Sequence, residues 1–323
     1  DFFNDVPKGE KYDPTVHARN DLLLVGNKGI CLLKRTGPDS FEDVTEMAGL
    51  GTAAARRAQW ADYDHDGDID LVLAGATGLQ LWQNNGDGRF TNVTEQVGLS
   101  GANGDFDVAA VDLDANVAID LVAAGGNQPS LVFMNQRAGR FARMAEPPGP
   151  WPSARRVLAD DFDNDGNIAA VLVGEKQALV LFGQRAARHQ FDLSALQDAA
   201  AALLDFDNDG WLDFCAAGIR SGSPTQGAVQ LWRNTSGGHW TDVTAANGLA
   251  AMQLPPVRDV VAADFDGDGD TDLLLLTAAG QMNFLRNDGG NANGQLKLRL
   301  VGTKTNPLGL GTRVEVRAGE FRS

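Results

Sequence analysis

The chain has 323 residues, 43% of them hydrophobic, and carries 27 Lys plus Arg against 43 Asp plus Glu for a net charge of −16. That balance argues against nucleic acid or an anionic membrane surface as a partner, and no run of eighteen apolar residues offers a membrane span. The length suffices for a large core that a repeat architecture holds as one domain.

The chain opens on Asp1 with no basic and apolar leader, as a processed or trimmed polypeptide would. The acidic residues are clustered: about half fall in six short windows beginning at Asp13, Asp62, Asp112, Asp161, Asp205 and Asp264, at intervals of 49, 50, 49, 44 and 59 residues. A period near fifty marks a supersecondary unit. The copy at Asp13 keeps Asp21 but has Thr15 and His17 between, so metal binding is expected to be lost there.

The second window, Asp62-Tyr-Asp-His-Asp-Gly-Asp-Ile-Asp70, places carboxylates at its first, third, fifth and ninth positions and a glycine at its sixth. Calcium takes six to eight oxygen ligands from a flexible loop, and a glycine lets the backbone turn so that carboxylates converge. Asp62, Asp64, Asp66 and Asp70 are expected as side-chain ligands and Asp68 as a backbone-carbonyl ligand. The copies Asp205, Asp207, Asp209, Trp211, Asp213 and Asp264, Asp266, Asp268, Asp270, Asp272 repeat the pattern. Asp161, Asp163, Asp165 and Asn167 repeat its beginning, with Ala169 at the ninth position. Asp112, Asp114, Asn116 and Asp120 keep the donors while Val117 replaces the glycine, which makes this the weakest of the candidate sites. Three or four calcium ions are therefore expected, and four would cancel about half of the net charge of −16. An EF-hand is excluded by spacing: its loop needs a bidentate Glu at position twelve, where this chain has Leu73, Ala216 and Leu275.

Four short strands are expected per unit. One precedes each loop (Gln59 to Ala61, Val108 to Val111, Val157 to Ala159, Ala202 to Leu204, Val260 to Ala263). An apolar strand follows it, as at Leu71 to Ala74, Phe214 to Ala217 and Leu273 to Leu276. A third alternates (Ile30 to Leu33, Leu79 to Trp82, Leu131 to Met134, Leu179 to Phe182, Val229 to Trp232, Met282 to Leu285), ending in turn residues such as Asn84-Asn85-Gly86-Asp87-Gly88. A fourth opens on Phe41, Phe90, Phe141, Phe191 or Trp240. Four strands repeated around a circle describe an all-β β-propeller with calcium-binding loops. Six blades are favoured over seven, with the loop joining the innermost strand of each blade to the next.

The unit, in the forms Asp-Phe-Asp-Gly-Asp-Gly-Asp-Thr-Asp-Leu at Asp264 to Leu273 and Leu-Trp-Gln-Asn-Asn-Gly-Asp-Gly-Arg-Phe-Thr-Asn-Val-Thr at Leu81 to Thr94, resembles the FG-GAP or VCBS repeat of integrin α-subunit propellers and many bacterial surface proteins. The resemblance implies a calcium-braced propeller over residues 1–290, used mainly for adhesion or ligand recognition. The segment Asn293 to Asn306 with Gly309 to Val316 resembles the beginning of the ASPIC/UnbV domain, so that 291–323 is expected as a separate β segment that closes the last blade or packs beside the ring.

Other features are given structural readings. Cys31 and Cys215 are expected as buried free thiols, His17, His65, His189 and His239 as solvated surface, and Trp82 and Trp232 as blade packing. Trp151, the Gly218 to Gly227 insertion and the Leu249 to Arg258 connection are the candidate ligand contacts. No nucleophile motif, zinc motif or phosphate loop is present. The expected function is non-catalytic recognition of a protein or polysaccharide by a secreted, periplasmic or cell-surface module, with no membrane insertion. The alternatives are the accessory or catalytic propeller of a polysaccharide-acting enzyme and a structural assembly module.

Overall fold

The computed structural model describes residues 21–26, 29–37, 39–137, 139–144, 152–182, 189–235 and 239–290, with tail positions 298, 314, 317–318 and 321–322. Six antiparallel sheets follow one another along the chain, each a meander whose strands are joined in sequence order. Blade 1 holds β1 (Leu22–Gly26), β2 (Gly29–Gly37) and β3 (Ser40–Asp43). Blade 2 holds β4 (Arg57–Ala61), β5 (Asp70–Gly75), β6 (Gly78–Asn84) and β7 (Phe90–Asn92); blade 3 holds β8 (Asp107–Val111), β9 (Asp120–Ala124), β10 (Leu131–Asn135) and β11 (Phe141–Arg143). Blade 4 holds β12 (Arg156–Asp160), β13 (Ala169–Val173), β14 (Gln177–Phe182) and β15 (His189–Asp192); blade 5 holds β16 (Leu196–Leu204), β17 (Asp213–Arg220), β18 (Gly227–Asn234) and β19 (Trp240–Asp242). Blade 6 holds β20 (Val257–Ala263), β21 (Asp272–Thr277) and β22 (Met282–Leu285). The fold is an all-β six-bladed propeller, and the expected strand sits at the expected place in each described blade. The chain divides into two compact units, one carrying β1 to β11 and the other β12 to β22.

The apolar runs after the loops are explained by what covers them. Alternate residues of a strand face opposite sides of the sheet, and both sides of these strands are core. Leu71 and Leu73 of β5 pack with Leu32, Val44 and Leu50 of blade 1, whereas Val72 and Ala74 pack with Phe106, Leu121 and Phe133 of blade 3. In the second unit, Phe214 and Ala216 join Phe162, Val171 and Phe191 of blade 4, and Cys215 and Ala217 join Val257, Leu273 and Leu275 of blade 6. Burying such a Leu, Val or Phe side chain contributes about 1.5–3 kcal/mol. Polar residues on either face of β5, β9, β13 or the start of β17 would forfeit that.

The last strand of a blade ends early for a local reason. Asp43 Oδ1 accepts the Thr45 N–H at 3.0 Å while Thr45 Oγ1 accepts the Leu32 N–H at 2.8 Å. Asn92 and Thr94, and Asp242 and Thr244, repeat both bonds. The side chains take over from the ladder, so the Asp-Val-Thr sequence is a strand stop. Close approach decides one glycine: Gly98 has φ +92, and a Cβ there would lie 2.5 Å from the Phe141 carbonyl oxygen.

The structure meets some of the remaining expectations and corrects those for Cys31 and His189. The Gly218 to Gly227 insertion is a longer hairpin, because β17 and β18 stay paired out to Ile219 and Gly227. Cys31 is half-buried, with Sγ 3.5 Å from Asp43 Oδ2; Cys215 is fully buried. His189 is half-buried against Phe191 and Trp240, with ring centroids at 4.6 and 5.8 Å, and burial lowers its pKa. Trp82 and Trp232 are buried in blade packing. The loop copy at Asp13 to His17, Trp151, and nearly all of the tail segment 291–316 lie outside the described residues.

Candidate metal centres

Each acidic loop joins the first strand of a blade to the second, and five of them share one backbone conformation. The fourth position is left-handed in every copy: His65 (φ 60), Ala115 (φ 56), Asn164 (φ 50), Asn208 (φ 53) and Gly267 (φ 82). So is the sixth: Gly67 (φ 93), Val117 (φ 78), Gly166 (φ 83), Gly210 (φ 86) and Gly269 (φ 106). The degenerate loops of blades 3 and 4 therefore keep the same turn as the complete ones. Val117 does so at a cost, since a left-handed backbone puts a Cβ against its own carbonyl at roughly 1–2 kcal/mol. The side chain is 74% exposed. Val117→Gly is accordingly expected to stabilise the protein by about 1 kcal/mol in urea unfolding; a neutral or destabilising result would show that the valine is unstrained.

The first carboxylate organises the turn. One oxygen of Asp62, Asp112, Asp161, Asp205 and Asp264 accepts the N–H of the sixth position at 2.7–3.2 Å. The fifth residue then accepts the N–H of the seventh, as Asp66 does from Asp68 and Asp209 from Trp211. These bonds turn the side chains of the first, third and fifth positions inward. One ligand atom from each of Asp62, Asp64 and Asp66 lies within 4.8 Å of the others, as in the groups Asp112, Asp114, Asp120; Asp161, Asp163, Asp165; Asp205, Asp207, Asp213; and Asp264, Asp266, Asp272.

The ninth residue has a second duty that spacing alone did not reveal. Asp70 is fully buried; its Oδ2 accepts the Tyr63 N–H at 3.2 Å and its Oδ1 the Asn84 N–H at 2.8 Å. Asp213 takes Phe206 and Asn234 likewise, and Asp272 takes Phe265 and Asn287. This carboxylate clamps the loop to the end of the third strand. In blades 3, 5 and 6 the ninth carboxylate also joins the converging group, whereas in blade 2 the grouped carboxylates are those of Asp62, Asp64 and Asp66. Its partner asparagine completes the tie. Asn135 Nδ2 donates to the Tyr63 carbonyl of the preceding blade at 2.8 Å, Asn234 to Phe162 at 2.7 Å and Asn287 to Phe206 at 2.6 Å. The sequence signal was the Asn at the end of the third strand, recurring one period apart.

The residues fit a bound cation. Asp62 Oδ1 is buried and accepts no hydrogen bond, and Asp270 Oδ2 is in the same state. A buried carboxylate oxygen without a donor carries a desolvation cost that a cation removes. Burial, opposed by the N–H donors, pushes the carboxyls of Asp70 and Asp213 up to about 8; burial and the Asp66 charge also raise Asp62. An all-oxygen donor set on a flexible turn suits a hard cation such as calcium. Such an ion would neutralise the converging carboxylates and fix the turn. The carboxylate of Asp270 is buried and accepts from Asn208 Nδ2 at 3.1 Å.

With this geometry in hand, the comparisons define the class. Residues 62–123 and 205–275 match the FG-GAP-like repeat. The two spans hold the four loops that end in Asp70, Asp120, Asp213 and Asp272 and omit the loop of blade 4, where Ala169 replaces the clamp. The chain is a six-bladed propeller carrying FG-GAP-like repeats. Among solved structures, an Agrocybe aegerita lectin described for specific recognition of non-reducing terminal N-acetylglucosamine is 18% identical, with TM-score 0.56 over 94% of this chain and 81% of that one. The V. cholerae biofilm matrix protein Bap1 is 17% identical, with TM-score 0.45 over 73% of this chain and 38% of that one. At these identities the likeness is one of fold. No curated protein matches the chain. No helix among the described residues is long and apolar enough to cross a membrane.

Proposed function

We propose that this chain is a calcium-braced recognition module of the secreted, periplasmic or cell-surface kind, holding about three or four ions, that binds a carbohydrate and performs no chemistry on it. The observation that carries the carbohydrate reading is a cleft of about 540 Å³ beside the outer strands of blade 2 and the connection that follows them, bordered by Thr77, Gln80, Asn92, Glu95, Gln96 and Asn103. The amides and the hydroxyl among them both donate to and accept from sugar hydroxyls, and the Glu95 carboxylate accepts. Gln80 is already oriented, with Nε2 on Thr77 Oγ1 at 3.2 Å and Oε1 taking the Trp82 indole N–H at 2.9 Å. The loop carboxylates contribute to turns and cation sites, which leaves them unsuited to act as an acid and base pair. The lectin of like fold supports the reading only in that such a scaffold can present sugar sites.

The test is a glycan array probed with calcium-loaded protein, followed by titration calorimetry on any hit. Gln96→Ala and Asn103→Ala are each expected to weaken binding about tenfold with the melting temperature unchanged. Unaltered affinity in both variants would remove the cleft from the reading. Binding to proteins alone would replace the carbohydrate with a protein ligand, and turnover of a bound glycan would make the module an enzyme.

A further inference from the structure

The residue immediately before the clamping asparagine differs among blades, and it reaches the loop. In blade 5 it is Arg233, whose Nη2 lies 2.6 Å from Asp207 Oδ2 and 2.8 Å from Asp209 Oδ2. In blade 6 it is Arg286, with Nε 3.3 Å from Asp266 Oδ2 and Nη2 3.8 Å from Asp268 Oδ2; its Nε also meets Asp288 Oδ1 at 2.6 Å. Blade 2 has Gln83 there, donating from Nε2 to Asp64 Oδ2 at 2.8 Å. The same strand position thus addresses the third and fifth loop carboxylates with a full positive charge in two blades and a neutral amide in one.

We propose that Arg233 and Arg286 are tethered counter-cations that let the loops of blades 5 and 6 keep their form without a bound ion, whereas the loop of blade 2 depends on one. The proposal rests on the reading that these loops take calcium. Its logic is charge. The blade 2 loop gathers five aspartates, Asp62, Asp64, Asp66, Asp68 and Asp70, with no arginine of its own strand against them. In blade 5 the guanidinium spans two of four aspartates and is itself half-buried, so the solvent screens the pair less than a free surface pair. The arginine also leaves work for an ion. It holds the Oδ2 atoms of Asp207 and Asp209, and a metal-ligating carboxylate is commonly oriented by such an outer partner.

Three variants decide it: Arg233→Gln, Arg286→Gln and the reverse change Gln83→Arg, each melted in calcium and in chelator, with calcium content measured by equilibrium dialysis. In chelator the two arginine variants are expected to melt at least about 2 °C below the parent, and Gln83→Arg above it. In calcium the arginine variants should recover most of the loss, because the ion takes over the neutralisation, and Gln83→Arg should narrow the gap between the two media. An equal loss in both media would reduce the arginines to ordinary ion pairs, and no change in chelator would remove their role. If the parent binds no calcium and melts identically in both media, the calcium reading falls, while the chelator melts still decide whether the arginines neutralise their loops.

Discussion

Replacing Asp213 with Ala is expected to cost about 2–6 kcal/mol of stability, and to do so in chelator as well as in calcium. The carboxylate is fully buried and both oxygens are engaged, by the Phe206 N–H at 3.0 Å and the Asn234 N–H at 2.8 Å. Truncation leaves two buried donors unpaired, at about 1–3 kcal/mol each. It also loosens Asn234, whose amide reaches across the seam to Phe162. Asp213→Asn restores one acceptor and turns an NH2 group against the other donor, so it should lose roughly half as much. Urea midpoints with constant slope are the readout. A loss below about 1 kcal/mol in chelator would mean that the clamp matters only through the metal.

Calcium removal is the second large effect. A ligand bound only by the native state stabilises it by about 2.7 kcal/mol per site at a hundredfold excess over the dissociation constant. Three or four occupied loops would therefore lower the melting point by well over 10 °C on chelation, since a domain of this size shifts a few degrees per kcal/mol. Asp64→Ala isolates the ion's share. Asp64 lies in the cation group of blade 2, is not the buried clamp, and accepts the Asp66 N–H and the Gln83 amide. Its loss should appear in calcium and nearly vanish in chelator, the opposite of Asp213→Ala. Equal losses in both media would assign Asp64 to the turn alone.

The fold was legible because the period, the loop spacing and the apolar runs are independent signals that agree. The runs after Asp70, Asp120 and Asp213 proved to be strands covered on both faces, as a seam between blades requires. The grouping of Asp62, Asp64 and Asp66 was legible for the same reason: ligand chemistry fixes residue type and spacing together. What stayed hidden are contacts whose partners lie far apart in the chain. Asn135 meets Tyr63 across 72 residues, and nothing local to Asn135 says so. The division of the ninth aspartate between clamp and ligand was hidden too, because both duties call for a buried carboxylate at one position. His189 was misjudged because a histidine beside a turn reads as polar, whereas its ring edge fits the aromatic cluster of Phe191 and Trp240.

The left-handed fourth position bears on how such an array drifts. In blade 4 it places Asn164, whose amide donates to the Gly210 carbonyl of the blade 5 loop at 3.0 Å; Asn208 in turn reaches Asp270 of blade 6 at 3.1 Å. In blades 4 and 5 the loop thus serves as a buttress for its successor, separately from whatever it holds itself. The blade 4 copy has Ala169 where the others clamp, yet its buttress is intact. A repeat can lose the clamp at its ninth position and still support the loop of its neighbour. Decay of the motif in one copy is therefore not a sign of decay in the array.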